Sequence, residues 1–326
     1  MVPKRALPLT WKASILLRCD DMSQYERASV QRRIAVIGAP LCDGERELGV
    51  EKAPKVIREA GLLNGFRRGS FRDLGDIPIE TSIPDIISGK VRNTKSVVDA
   101  CRRIRRNVAD AVRDRDFLLV IGGDCSLFPG SLAGMIDVYD RIGVLYVDGH
   151  ADFHTPDTTI SGYYSGMSLA SAVGRGDVDL VRIGKSFPLI GEEDVSVVGA
   201  KMTNFDPSEL EALRASRVRL FSNETLKKDG VFAALQDAAK PLPKPLYLHF
   251  DLDVIDAGEM PALAGMSAGV HHSGGLSLRE ASSLCEALAA LPLAGMDITL
   301  YDPNLDTNRT HARRIVELLT KILHLQ

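Results

Sequence analysis

Three apolar runs break off at residues that can bind a metal, and this pattern constrains the chain more than any other feature. Val144-Leu145-Tyr146-Val147 ends at Asp148-Gly149-His150-Ala151-Asp152. Pro245-Leu246-Tyr247-Leu248-His249-Phe250 ends at Asp251-Leu252-Asp253, and Phe117-Leu118-Leu119-Val120-Ile121 ends at Gly122-Gly123-Asp124-Cys125-Ser126. Short apolar runs of this kind read as buried strands of a parallel sheet. Side chains alternate along extended chain, so Asp148, His150 and Asp152 can point one way, as can Asp251 and Asp253. Carboxylates and an imidazole converging on one point are poor core material unless paired or metal-bound, and a divalent cation resolves the conflict. Three such strand ends would meet where open α/β sheets bind ligands, beyond the carboxyl ends of the strands.

The rest of the chain agrees with one α/β domain. Strand and helix patterns alternate from residue 33 onward. Residues 33–40, 117–121, 195–199, 217–221 and 296–301 read as strands. Residues 97–115, 131–139, 207–216, 230–238, 278–291 and 309–324 read as helices. The alternation predicts a three-layer αβα sandwich with a mostly parallel central sheet, with residues 33–326 forming a single domain. Arg102, Arg103, Arg105 and Arg106 fall on the solvated face of the helix over 97–115. Residues 1–32 read as an N-terminal extension lying on the body or on a neighbouring subunit. Lys12 interrupts the one candidate signal core, and Asp20-Asp21 follow where a cleavage site needs small residues.

Charge and cysteine content exclude several classes of function. With 40 basic and 43 acidic residues the net charge is −3, which points to neither nucleic acid nor an anionic membrane as a partner. No run approaches the roughly 18 apolar residues of a membrane span. Five cysteines, Cys19, Cys42, Cys101, Cys125 and Cys285, show no C-x-x-C spacing. That argues against a disulfide framework and for a reducing compartment, the cytoplasm.

The three motifs, in this order and at about these separations, resemble those of the ureohydrolase family, the arginases and agmatinases. That family carries Gly-Gly-Asp-His-Ser, Asp-Ala-His-x-Asp and Asp-x-Asp-x-x-Asp. Gly49-Val50-Glu51-Lys52-Ala53-Pro54, Gly274-Gly275-Leu276-Ser277 and Asp302-Pro303 match as well, so the resemblance spans about residues 33–324. It implies two divalent metals held by Cys125, Asp148, His150, Asp152, Asp251 and Asp253. Oxygen-rich ligands favour manganese. A water shared by two such ions becomes hydroxide near neutral pH and can attack an amidine or guanidine carbon. Asp124 and Asp256 would support the ligands or the loops around them. A small amidine- or guanidine-like substrate and a homo-oligomer, trimer or hexamer, are also implied.

The departures from the family pattern bear on the substrate. Cys125 stands where the family has histidine; a thiolate is softer and brings in zinc or cobalt as alternatives. The same cysteine, with a similar Asp-Gly-His-x-Asp-Phe-x-Thr-Pro run, occurs in the hydroxy-arginine amidinohydrolase of cycloserine biosynthesis. In Ser161-Gly162-Tyr163-Tyr164-Ser165-Gly166, Ser165 takes the place of the arginases' proton-shuttling histidine. A hydroxyl cannot titrate near pH 7, so the leaving amine needs another donor; His154, His271 and His272 are the candidates. His154 also lies where arginases have an asparagine that touches the substrate, and Ser161 and Asp206 match substrate-contacting positions. Leu300 replaces the glutamate that pairs with a guanidinium, and an unpaired buried charge is costly. The expectation is therefore a hydrolase of amidine, hydroxyguanidine, formimidoyl or related C–N bonds rather than an ordinary arginase. The alternative is a catalytically silent relative serving as a binding or regulatory subunit.

Overall fold

The computed structural model describes residues 33–45, 48–67, 69–80, 87–265 and 273–325. The extension over 1–32, together with His271 and His272, lies outside these residues. The strands of the main sheet are β1 (Ile34–Ala39), β2 (Phe71–Asp76), β5 (Phe117–Gly122), β6 (Gly143–Val147), β7 (Val195–Val198), β8 (Arg219–Phe221), β9 (Leu246–Asp251) and β10 (Leu293–Thr299). They lie in the order β2-β1-β5-β10-β9-β6-β7-β8, and every neighbouring pair is parallel. A small antiparallel hairpin, β3 (Ile87–Ser88) with β4 (Val91–Arg92), stands apart from it.

Helices cover both faces, α1 (Ala53–Glu59), α2 (Thr94–Ala111), α3 (Phe128–Ile136), α4 (Ser168–Ala172), α5 (Val178–Val181), α6 (Pro207–Arg214), α7 (Asn223–Asp229), α8 (Val231–Ala239), α9 (Leu278–Ala289) and α10 (Thr310–Ile322). Strand alternation sorts the interior into two cores. Ala35, Ile37, Leu118, Val120, Val144, Tyr146 and Tyr247 face α2 to α6. Ile34, Val36, Leu119, Ile121, Leu145, Leu248 and Phe250 face α1 and α7 to α10. The three-layer sandwich expected from the alternating pattern is what forms.

Local chemistry sets the ends of these elements. Asp206 and Ser222 cap α6 and α7 through their side chains, and Ser277 with Glu280 forms a reciprocal capping box on α9. The helix α7, the short α5 and the hairpin carry no strong periodic signal and were not expected. Arg105 departs from the solvated face assigned to its run. It is partly buried, with Nε 2.8 Å from Asp137 Oδ2 and Nη1 2.5 Å from the carbonyl of Ile183, because α2 packs against the end of α3 there.

The topology creates the site. The chain leaves β5 and crosses to β6, then winds outward through β7 and β8. It returns to insert β9 and β10 between β5 and β6. Four adjacent strands, β5, β10, β9 and β6, therefore end side by side at the point where winding reverses, which is where parallel sheets leave a crevice.

Candidate metal centre

The ligand residues do not arrive as extended alternation. β6 stops at Val147, and Asp148 to Asp152 follow as an irregular turn in which Asp152 takes a left-handed conformation, φ 48°. β9 stops at Asp251, and Leu252–Val254 form a single 3-10 turn. Each turn is stitched by its own carboxylates. Asp148 Oδ1 accepts the N–H of His150 at 2.6 Å, and Asp251 Oδ1 accepts that of Asp253 at 2.7 Å. Asp253 Oδ1 accepts the N–H of Gly149 at 2.9 Å, tying the two turns together. Gly149 has to be glycine for this approach: a Cβ there would lie 2.4 Å from Lys201 Cε and 2.7 Å from the Asp253 carbonyl oxygen.

Two groups of donor atoms result, sharing Asp148. Asp148, His150 and Asp253 form one; Cys125, Asp148, Asp152 and His249 form the other, and within each group the atoms lie no more than 4.8 Å apart. Asp251 sits against the second group, its Oδ2 2.6 Å from Cys125 Sγ. Thr299 Oγ1 is 3.3 Å from the same sulfur. His150 Nδ1 is 2.7 Å from Asp253 Oδ2. Tyr146 donates its hydroxyl to Asp152 Oδ2 at 2.6 Å. All six residues expected as ligands are thus gathered at the strand ends, and His249 joins them.

The electrostatics suit cations. Burial, followed by the neighbouring carboxylates, pushes Asp148 well above the usual carboxylate range. Burial does the same to Asp152. Burial and the charge on Asp253 raise Asp251 to about 6. Burial, then Asp251, lifts the Cys125 thiol. Burial would lower His150, but the Asp253 charge outweighs it and the imidazole rises to about 9. So many acidic groups buried together raise one another's affinity for protons, and a divalent ion would relieve that repulsion and compete with the protons. Asp148 Oδ2 and His249 Nε2 are also buried with no hydrogen-bond partner among the described residues, which a bound cation would supply. The donor set fits divalent metal.

Asp124 and Asp256 serve the backbone. Asp124 Oδ1 accepts the N–H of Ser126 and Oδ2 that of Gly44; Asp256 accepts the N–H groups of Gly258 and Gly274. Gly123 lets the loop pass, since a Cβ there would meet the Leu41 carbonyl oxygen at 1.8 Å.

A cavity of about 690 Å³ opens above the ligands. His154, Ser161, Ser165, Asp206 and Leu300 line it, so each described residue proposed for substrate or proton handling reaches the same space. Leu300 is 5% exposed and holds φ 74°, a strained conformation for a leucine. His154 Nε2 lies 3.6 Å from Glu209 Oε2, and its Nδ1 lies 3.2 Å from Thr158 Oγ1. Ser208, through its hydroxyl and then its N–H, holds Asp206 below the ordinary carboxylate range.

Sequence reasoning missed Glu45, Arg92, Asn204 and Glu209 in this wall. Glu45 lies in a loop, Arg92 on the hairpin strand β4, Asn204 in a 3-10 turn and Glu209 in the first turn of α6, none within a motif of its own. His249 was missed too, although it carried a signal: a polar residue inside a buried strand, at the same parity as Asp251.

A sequence model described as the Arginase family matches residues 32–324. The arginase of Bacillus caldovelox is 30% identical over 294 residues, covering 88% of this chain and 96% of that protein. Arginase-1 of Homo sapiens is 30% identical over 301 residues, covering 89% and 91%. The crystal structure of arginase from Bacillus cereus superposes with a TM-score of 0.80 at 30% identity, covering 90% of this chain and 98% of that one. These matches run through all the strands that deliver the ligands. The chain belongs to the arginase family and is a hydrolase of that family, acting on amidine-type groups.

Proposed function

We propose that this hydrolase cleaves a C–N bond of a small amidine, hydroxyguanidine, formimidoyl or guanidine compound using two divalent metals, and that arginine is a poor substrate. The observation that carries this reading is the pair of donor groups sharing Asp148 on the floor of one cavity. Asp148, His150 and Asp253, with Asp251, would hold one ion. Cys125, Asp148, Asp152 and Asp251 would hold the other. Manganese suits the first set; the thiolate makes zinc or cobalt competitive in the second. When bound, the ions supply a hydroxide nucleophile at neutral pH.

The protein's own groups do the rest. Ser161 and Asp206 bind the polar tail of the substrate from the cavity wall. Leu300 shields the reacting carbon from water and offers it no carboxylate, which favours a weakly basic group over a guanidinium. Ser165 cannot titrate, so His154 carries the proton to the departing amine from Nε2, with the Glu209 carboxylate beside it. A homo-oligomer in the cytoplasm is the setting that the resemblance and the cysteine content support.

The test is elemental analysis of the purified protein and of Cys125→His and Cys125→Ala, with turnover measured before and after chelation. About two metals per chain, fewer in the alanine variant, and turnover lost on chelation are expected. Undiminished turnover by metal-free protein would overturn the proposal. Trace metal and no turnover after manganese, zinc or cobalt is supplied would leave a silent relative instead.

A further inference from the structure

His249 is the odd residue of the centre. It occupies the middle of β9, fully buried, two residues before Asp251 and on the same side of the sheet. Its register partners are Tyr146 on β6 and Asp297 on β10. Both hold the ring. Nδ1 lies 2.5 Å from Asp297 Oδ1, and Asp297 Oδ2 accepts the Tyr247 hydroxyl at 2.8 Å. The ring stacks on Tyr146, centroids 4.1 Å apart, and meets Phe128 edge-on at 5.2 Å.

These contacts use one nitrogen and one face and leave Nε2 aimed at the metal-binding groups. It has no hydrogen-bond partner among the described residues and stands 3.9 Å from Asp148 Oδ2, which has none either. A buried, unpartnered imidazole nitrogen beside an unpartnered carboxylate oxygen is costly unless something binds both. An imidazole whose far nitrogen is fixed by a carboxylate is the arrangement that orients histidine toward metal and raises its basicity.

We propose that His249 is a ligand of the metal on the Cys125 side, which makes the two metal positions chemically unequal. The inference rests on the metal-hydrolase reading above. The Cys125 position then offers one sulfur, one nitrogen and carboxylate oxygens, a set suited to zinc or cobalt. The His150 position offers one nitrogen and carboxylate oxygens and suits manganese. The preferred filling is a mixed pair: a borderline-soft ion beside a hard one. The same geometry makes Asp297 a positioning residue, acting on the ion through His249.

The experiment uses full-length protein titrated with cobalt(II) and followed by its absorption, in wild type, His249→Phe and His249→Gln. Phenylalanine preserves the stack on Tyr146 and cannot ligate. Wild type should bind two cobalt ions per chain, one giving a sulfur-to-cobalt charge-transfer band. In both variants that band should weaken or move, and affinity at that position should fall at least about 10- to 100-fold, the range seen when even a supporting partner of a ligand is lost. The other position should fill as before. Equal affinity and an unchanged band in folded variants would overturn the proposal while leaving the metal reading intact. No cobalt uptake by wild type would instead overturn the metal reading. Should both variants fail to fold, a crystal structure of cobalt-loaded wild type decides. Nε2 at a bonding distance of about 2.0–2.1 Å supports the proposal, and Nε2 beyond 3 Å refutes it.

Discussion

Leu300→Glu should turn the enzyme toward guanidinium substrates. Leu300 follows β10 directly and lies against Cys42, Val50, Cys125 and Ala264 while lining the cavity, so a carboxylate there would face the reacting group. Glutamate has no β-branch, so φ 74° strains it no more than it strains leucine. Two unit charges about 4 Å apart attract with roughly 4 kcal/mol at an effective dielectric of about 20. About half of that offsets the removal of the guanidinium from water, since desolvation consumes much of any buried pair's attraction. A net gain of about 2 kcal/mol corresponds to roughly 30-fold in kcat/KM. The cost falls on stability: about 2 kcal/mol of apolar burial is lost and a carboxylate is buried. The assay compares kcat/KM for arginine and for a neutral isostere in wild type, Leu300→Glu and Leu300→Gln, all metal-loaded. Arginine turnover should rise with glutamate and not with glutamine, and the neutral substrate should not gain. Equal changes in the two variants, or no gain for arginine in a folded and loaded Leu300→Glu, would refute the charge argument.

Two further perturbations probe other parts of the structure. His154→Ala should lower kcat by about 10²- to 10⁴-fold, with partial rescue by imidazole added to the buffer; an unchanged kcat would remove His154 from proton transfer. Asp306 Oδ2 accepts the Tyr301 hydroxyl at 2.8 Å and the Ala312 N–H at 2.8 Å, joining the end of β10 to the start of α10. Burial alone would raise Asp306, but these bonds, the Ala312 N–H first, outweigh it and hold the carboxyl below its ordinary value. Its stabilising contribution is therefore present above the unfolded pKa of about 3.9 and is lost as pH falls through the lower folded value. Asp306→Asn should destabilise by about 1–3 kcal/mol near pH 7, and in urea titrations the gap from wild type should close below about pH 4. A gap that is constant with pH would contradict the assignment.

Much of the fold was legible in residue pattern. Apolar runs such as Phe117 to Ile121 and Val144 to Val147 are too short for a buried helix and read as buried strands, and the helical stretches between them fit parallel crossovers. Boundaries moved where turn geometry intervened. Extended alternation was expected to carry through Asp251 and Asp253, but β9 ends at Asp251, because Asp251 accepts the N–H of Asp253 and closes a 3-10 turn. Strand order was not legible. Nothing local in β9 or β10 says that they insert between β5 and β6, since that choice is made by packing over the whole sheet.

The sequence by itself determined which residues would gather. Cys125, Asp148, His150, Asp152, Asp251 and Asp253 follow strand ends, and polar residues there cannot retreat into the apolar layers behind them. Tertiary structure decided how they gather. Asp148 came to belong to both donor groups, while His150 and Asp152 fell into different ones. His249 was turned into the centre by Asp297 and Tyr146, partners from two other strands. Glu45, Arg92, Asn204 and Glu209 came to share one wall. Such contacts join residues tens to hundreds of positions apart, and no short-range pattern records them, because the free energy that selects them is that of the folded whole.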